Sequence, residues 1–187
     1  MTVTGPSRVA FLRAVNVGGR TARKDQLVAA ATAAGADDVS TFIASGNLLF
    51  APGELPGRRA QQEAALERAL ADELGFGTEV FVRDRRSLAK LADADPFDGA
   101  VDLESGTWNV GFLRRPLPAA DAERLVALTT DDDHLAAAGS ELHWHTVGNM
   151  SDSVLFKRPA DMQSAIGGAV VTMRNIRTVR RLVDKLG

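Results

Sequence analysis

The chain contains no cysteine, which excludes disulfides, thiolate zinc sites and cysteine nucleophiles together. Tyrosine is absent as well, and the eight phenylalanines and two tryptophans fall mostly at positions that read as core. The aromatic central strands that RNA-recognition plaits use for base stacking are missing, so sequence-specific stacking on RNA is not expected. No apolar run of about 18 residues occurs, so no membrane-spanning helix and no membrane partner are expected. The opening Met1-Thr2-Val3-Thr4-Gly5-Pro6 does not read as a signal peptide, and a cytoplasmic location is expected. Neither sign of charge dominates. With 22 Lys+Arg against 24 Asp+Glu the net charge is -2, which excludes a wholly basic nucleic-acid coat but leaves room for a local basic patch. Phosphate-loop, G-x-S-x-G, H-E-x-x-H and dinucleotide signatures are all absent. What remains is a chain of 187 residues, 45% hydrophobic and 25% charged. That composition is globular, and the length suits one domain or two small ones.

The strongest positive signal is internal similarity. Val9-Ala10-Phe11-Leu12-Arg13 reads against Val110-Gly111-Phe112-Leu113-Arg114. The segment Arg83 to Leu91 reads against Arg174 to Leu182, with Asp84/Asn175 and Ser87/Thr178 as close swaps. Between them, the turn Phe42 to Asn47 reads against Leu135 to Ser140, which sets Gly46 against Gly139. Each half then reads as strand, helix, strand, turn, strand, helix, strand, with a further helix appended. In the first half these are Arg8–Arg13, Ala22–Ala34 capped by Thr21, Val39–Ala44, Leu48–Phe50, a helix through Leu66, Leu70 and Leu74 that Gly75 ends, Glu79–Arg83, and Arg86–Leu91. In the second they are Trp108–Arg114, Asp121–Leu128, His134–Ala138, Leu142–Thr146, a helical stretch over Ser151–Ile166, Ala169–Met173, and Asn175–Leu186. The fold class is therefore α+β: two ferredoxin-like βαββαβ repeats, each followed by a helix, and expected to pack together. The expected divisions are 1–93, an acidic linker 94–106, and 107–187.

At the same segments the chain resembles a known family. The motifs are Phe11-Leu12-Arg13-Ala14-Val15-Asn16-Val17-Gly18-Gly19-Arg20, Ile43-Ala44-Ser45-Gly46-Asn47-Leu48-Leu49-Phe50, Asp95-Pro96-Phe97 and Thr172-Met173-Arg174-Asn175-Ile176-Arg177-Thr178-Val179. They are similar to the marks of the bacterial domain of unknown function 1697 family. Ala14, Ala44 and Ile176 stand where the family pattern leads one to expect Gly, a polar residue and an aromatic. The resemblance implies a duplicated α+β plait in bacterial cytoplasm and no established activity.

Function must then be argued from residues. Gly18 and Gly19 permit positive φ and close backbone approach. A helix start follows, with Arg20, Arg23 and Lys24 around it, so this loop is a candidate anion seat. Cations in a first helical turn oppose the helix dipole, which a bound anion would offset. Arg174, Arg177, Arg181 and Lys185 line the polar side of the last helix beside Thr178, while Ile176, Val179, Leu182, Val183 and Leu186 share its apolar face. Asn175 reads as that helix's cap, and the basic side is either solvated or a footprint for a polyanion. Ser45-Gly46-Asn47 is a turn; Ser45 has no neighbouring His to activate it, so only a hydrogen bond to ligand from Ser45 or Asn47 is retained. His143 and His145 share one strand face near Asp131 to His134, but no third ligand has recognisable spacing. They read as edge-strand histidines, and no metal and no cofactor is expected.

Three functions remain open. The favoured one is a binding module for an anionic, phosphate-bearing ligand, with Arg13, Asn16, Gly18, Gly19, Arg20 and Lys24 converging with Ser45, Asn47, Arg174, Asn175 and Thr178. The second is a small phosphate or acyl-phosphate hydrolase in which Arg13 holds the phosphoryl group and Asn16 or Asn47 positions water. The third is a nucleic-acid-binding or protein-interaction domain, monomeric or a homodimer joined through sheet edges.

Overall fold

A computed structural model describes residues 5–43 and 46–187 of the chain. They form two compact units: the described residues up to 92 together with 179–187, and 93–178. Each is a four-stranded antiparallel plait with the βαββαβ order of elements.

In the first unit β1 (Arg8–Leu12), α1 (Lys24–Ala33), β2 (Asp37–Thr41), β3 (Asn47–Ala51), α2 (Arg59–Leu74) and β4 (Val80–Asp84) build a sheet in the order β2-β3-β1-β4. Strand β1 is apolar from Val9 to Leu12, as suits a strand that lies inside the sheet, antiparallel to β3 and β4. Alternation then divides its residues between two faces. Ala10 and Leu12 join Leu48, Phe50, Val80 and Val82 under Leu27 of α1 and Leu66 and Leu70 of α2. On the other face Val9, Phe11 and Phe81 are also fully buried. The four-residue spacing of Leu66, Leu70 and Leu74 is what turns α2 onto the sheet, and Gly75 closes it in the left-handed conformation at φ 74°.

Both edges of this sheet are guarded. On β4, the Val82 and Val80 N–H groups donate to the carboxylates of Glu63 and Glu67, each at 2.9 Å. On β2, the register shifts between Asp37 and Ser40, and Asp38 sits at φ 49°. Irregular or already satisfied edges are poor templates for a second chain.

After β4, α3 (Arg85–Ala92) buries Leu88 and Leu91. The C-terminal residues 179–187, read from the sequence with the second repeat, count with the first unit. Gly187 N–H donates to Pro6 O at 3.0 Å, and Arg85 Nε donates to Leu186 O at 3.0 Å.

The second unit repeats the plan with β5 (Thr107–Phe112), α4 (Ala119–Val126), β6 (Asp133–Ala138), β7 (Glu141–Thr146), α5 (Pro159–Ala165) and β8 (Thr172–Asn175), in the order β6-β7-β5-β8. The last helix, α6 (Ile176–Val183), follows β8 directly. The expected helix over Ser151–Ile166 is a 3-10 turn (Met150–Asp152) and a separate seven-residue α5. Pro159 explains the break: it fits a helix's first turn but cannot continue one. Ser153 is drawn to Asp133 instead, its hydroxyl donating to that carboxylate at 2.9 Å.

The repeat alignment needs one correction. Leu12 N–H donates to Gly46 O at 2.8 Å, and Leu113 N–H donates to Ser140 O at 2.9 Å. Gly46 therefore corresponds to Ser140, one position beyond the Gly139 that sequence matching selects. Gly46 is at φ 73°, and a Cβ added there would lie 2.7 Å from Val15 Cγ2 and 3.2 Å from Leu12 Cβ. Gly46→Ala is expected to destabilise the protein by roughly 2–4 kcal/mol, through backbone strain and overpacking together. Urea denaturation measures it; a loss below about 0.5 kcal/mol would mean the turn adapts freely.

Candidate functional site

The β1–α1 loop leaves the sheet at Arg13, takes φ 55° at Ala14 and tucks Val15 inward, where it is buried. Gly18 and Gly19 then run at φ 61° and 81°, so glycine occupies two left-handed positions. Arg20 N–H closes the turn on Val17 O at 3.1 Å. The loop also holds its own helix start. Asn16 Oδ1 accepts from the Ala22 N–H at 2.9 Å, and Gln26 Oε1 accepts from the Arg23 N–H at 3.2 Å. Helix α1 consequently begins at Lys24, with Arg23 rather than the expected Thr21 in the capping position.

The β2–β3 loop faces this segment. Phe42 N–H donates to Asn47 O at 3.0 Å, and Asn47 Nδ2 donates back to Phe42 O at 3.0 Å. With Gly46 O held by Leu12, the two loops border a half-open cavity of about 420 Å³. Asn16, Arg20, Thr21, Ala22, Arg23, Lys24 and Leu27 line it from the β1–α1 segment and helix α1, and Thr41, Ile43, Gly46 and Asn47 from the β2–β3 segment. Three cations and no carboxylate line it. Asp25 lies in the same helical turn and pairs with Arg23 at 3.3 Å, both side chains well exposed, so that pairing is weak. Arg20 is steadied from behind, its guanidinium carbon 5.1 Å from the Phe76 ring centroid.

The expected site residues therefore distribute unevenly. Asn16, Arg20, Lys24 and Asn47 line one cavity. Gly18 and Gly19 do not border it and serve as turn formers. Arg13 borders a neighbouring opening with Ala14, Glu67 and Glu79, and its guanidinium pairs with Glu79 at 3.3 Å. The Thr78 hydroxyl donates to Arg13 O. Ser45 lies outside the described residues. Sequence reasoning did not find Leu27, Thr41 and Ile43 among the lining residues. An Ile beside a Ser-Gly-Asn turn reads as strand core, and nothing local announces that it lines a cavity.

Arg174, Asn175 and Thr178 belong to the second unit. Arg174 was expected on the basic side of the last helix, but β8 extends to Asn175 and the strand's alternation turns Arg174 inward with Thr172. Its NH1 donates to Thr172 Oγ1 at 2.9 Å and Met173 O at 2.8 Å, and burial pulls its guanidinium pKa down to about 10. Arg83, its counterpart on β4, is likewise buried and donates to the preceding carbonyl, Val82 O, at 2.9 Å. Asn175 caps α6 as expected, accepting from Arg177 N–H at 2.9 Å, and Thr178 is half-buried in that helix.

The histidine reading also needs correction. Strand β7 is inside the sheet, between β6 and β5, so His143 and His145 are not edge residues. Both are buried, with Phe97 of the Asp95-Pro96-Phe97 motif set edge-on to their rings. Trp108 Nε1 donates to His143 Nδ1 at 3.3 Å, and His145 Nε2 meets Ser105 O at 2.9 Å. Asp133 points elsewhere, accepting from Trp144 Nε1 at 2.8 Å and Thr146 Oγ1 at 2.7 Å besides Ser153. Among the described residues no group of three or more His, Asp or Glu side chains is placed to hold a metal ion. None of the helices there is long and apolar enough to cross a membrane.

Two four-stranded antiparallel sheets, each with the βαββαβ order of elements, make this an α+β protein. The chain belongs to the family described as protein of unknown function (DUF1697), whose model matches residues 6–143. A solved conserved bacterial protein from Streptococcus pneumoniae is 21% identical with a TM-score of 0.66, over 97% of this chain and 99% of that one. At that identity the likeness concerns the fold alone. No curated protein matches the chain.

Burial holds the His143 imidazole down to about 4, against 6.5 for a free one. The folded state therefore favours the neutral ring, which its acceptor role toward Trp108 also requires. The stability this preserves is intact above about pH 6.5 and falls as pH drops toward 4. Between pH 7 and pH 5 the loss from this group should be roughly 2 kcal/mol. Urea melts of wild type and His143→Gln at both pH values check it; identical pH dependence in the two would reject it.

Proposed function

We propose that the protein binds a phosphate ester in the first unit, its phosphate among Arg20, Arg23 and Lys24 and its organic body against Leu27 and Ile43. The observation that carries this reading is the lining of the cavity among the described residues, which combines three cations with the apolar side chains of Leu27 and Ile43 and includes no carboxylate. About 420 Å³ is the size of a small-molecule site, and such sites pair an apolar wall with a few convergent polar groups. The start of α1 adds partial positive charge where the cations cluster. Its first-turn Lys24 opposes that dipole in the free protein, and an anion relieves both at once. Thr21 and Thr41 supply hydroxyls for the ester's polar edges.

Hydrolysis is less well supported by the same geometry. Asn16 and Asn47, the side chains available to orient water, are committed to Ala22 N–H and Phe42 O. Arg13 faces Glu79 rather than the cavity. Sheet-edge self-association is opposed by the guarded edges of the first sheet.

Thermal melting with inorganic phosphate, phenyl phosphate, a phosphosugar and nucleoside monophosphates tests the proposal. At a hundredfold excess over Kd, binding adds about 2.7 kcal/mol, a rise of roughly 5–10 °C for a chain of this size. Arg20→Ala and Lys24→Ala should each weaken the best ligand about tenfold or more, as lost charge-assisted hydrogen bonds do. No shift with any of these compounds would sink the reading.

A further inference from the structure

One wall of the cavity is under strain. Ile43 is β-branched yet sits at φ 51°, a conformation such residues hold only when their surroundings impose it. It is also 41% exposed, so packing of its own side chain does not supply the restraint. The restraint visible on this loop is at Phe42, the residue before it. Phe42 exchanges two hydrogen bonds with Asn47. Its ring lies under the guanidinium of Arg181, 5.0 Å from the centroid. Thr41 and Ile43 line the cavity while Phe42 between them does not, so Arg181 grips the loop from behind.

We infer that Arg181, from the C-terminal helix, is a positioning residue for the cavity: by clamping Phe42 it sets Ile43 and Thr41 as the wall that reads the organic body of the ligand. The inference rests on the phosphate-ester reading above and assigns a selectivity device to that site. Arg181 is not itself among the residues lining the cavity. Its contribution is to the ester's body, not to the phosphate. A cation held over an aromatic face contributes modestly at a surface and more when water is kept away, enough to bias a short strained loop between conformations.

The test uses the full chain and two anions, phenyl phosphate and inorganic phosphate, titrated against wild type, Arg181→Ala, Arg181→Lys, Phe42→Leu and the double variant Arg181→Ala with Phe42→Leu. Arg181→Ala should weaken phenyl phosphate about threefold to fivefold, as loss of a cation–π contact does, and leave inorganic phosphate nearly unchanged. Arg181→Lys should restore most of the loss. In the Phe42→Leu background, removing Arg181 should have no further effect. Equal losses for both anions that vanish with added salt would make Arg181 a general positive charge and overturn the inference.

Amide exchange supplies an arm independent of any ligand. Arg181→Ala should speed exchange of the Phe42 N–H while Arg181→Lys does not. Unchanged exchange in both variants overturns the clamp even if phenyl phosphate binds. If neither anion binds wild type but the Phe42 amide responds, the phosphate-ester reading fails and the clamp stands.

Discussion

The backbone hydrogen bond from Leu12 N–H to Gly46 O ties the end of the central strand to the β2–β3 loop, beside the cavity that Gly46 helps to line. With that bond made, the chain beyond Leu12 must swing out and return through Ala14 and Val15. It then delivers Arg20, Arg23 and Lys24 opposite Thr41 and Ile43. Val15 is buried under Gly46, so the two loops approach at side-chain contact distance only because position 46 has no side chain. The same backbone hydrogen bond recurs from Leu113 to Ser140 in the second unit, where it joins loops of different composition.

Much of this plan was legible in the sequence. The apolar run Val9 to Leu12, the four-residue spacing of Leu66, Leu70 and Leu74 and the glycine at 75 each report a local preference that the fold obeys. The βαββαβ order of elements followed as well, because the split βαβ pattern leaves few ways to cover one sheet with two helices. Less visible were the choices made between competing local signals. Thr21 is a good cap by residue type, yet Asn16 reaches across the loop to take the Ala22 N–H first. His143 and His145 alternate as exposed edge residues would, and only pairing on both sides of β7 removes them from water. Arg174 looked like the first rung of a basic helix until the strand kept it. In each case the deciding partner is distant in sequence or across a strand, where periodicity carries no signal.

The arginines illustrate how one residue type serves different ends. Arg83 and Arg174 are buried in sheets and occupied by neighbouring carbonyls or a hydroxyl, so their charge is held as structure. Arg13 is paired with a carboxylate at the surface. Arg20 and Arg181 lie over aromatic rings, which fixes a guanidinium while leaving its edge open to solvent or ligand. The distinction is drawn by surroundings alone.

Glu63 and Glu67 carry one more implication. Four residues of helix advance about 6 Å and two residues of strand about 6.8 Å, so the pair of carboxylates meets Val82 and Val80 in only one alignment. A slide of either element by a single residue would lose both contacts together. Helix and strand are thereby keyed to each other like teeth on a rack, and the connecting stretch from Gly75 to Glu79 is relieved of the task of holding them in step. Within that stretch Thr78 and Glu79 are tied to Arg13, so length can vary with least disturbance only at the exposed Gly77, where a side chain would meet nothing.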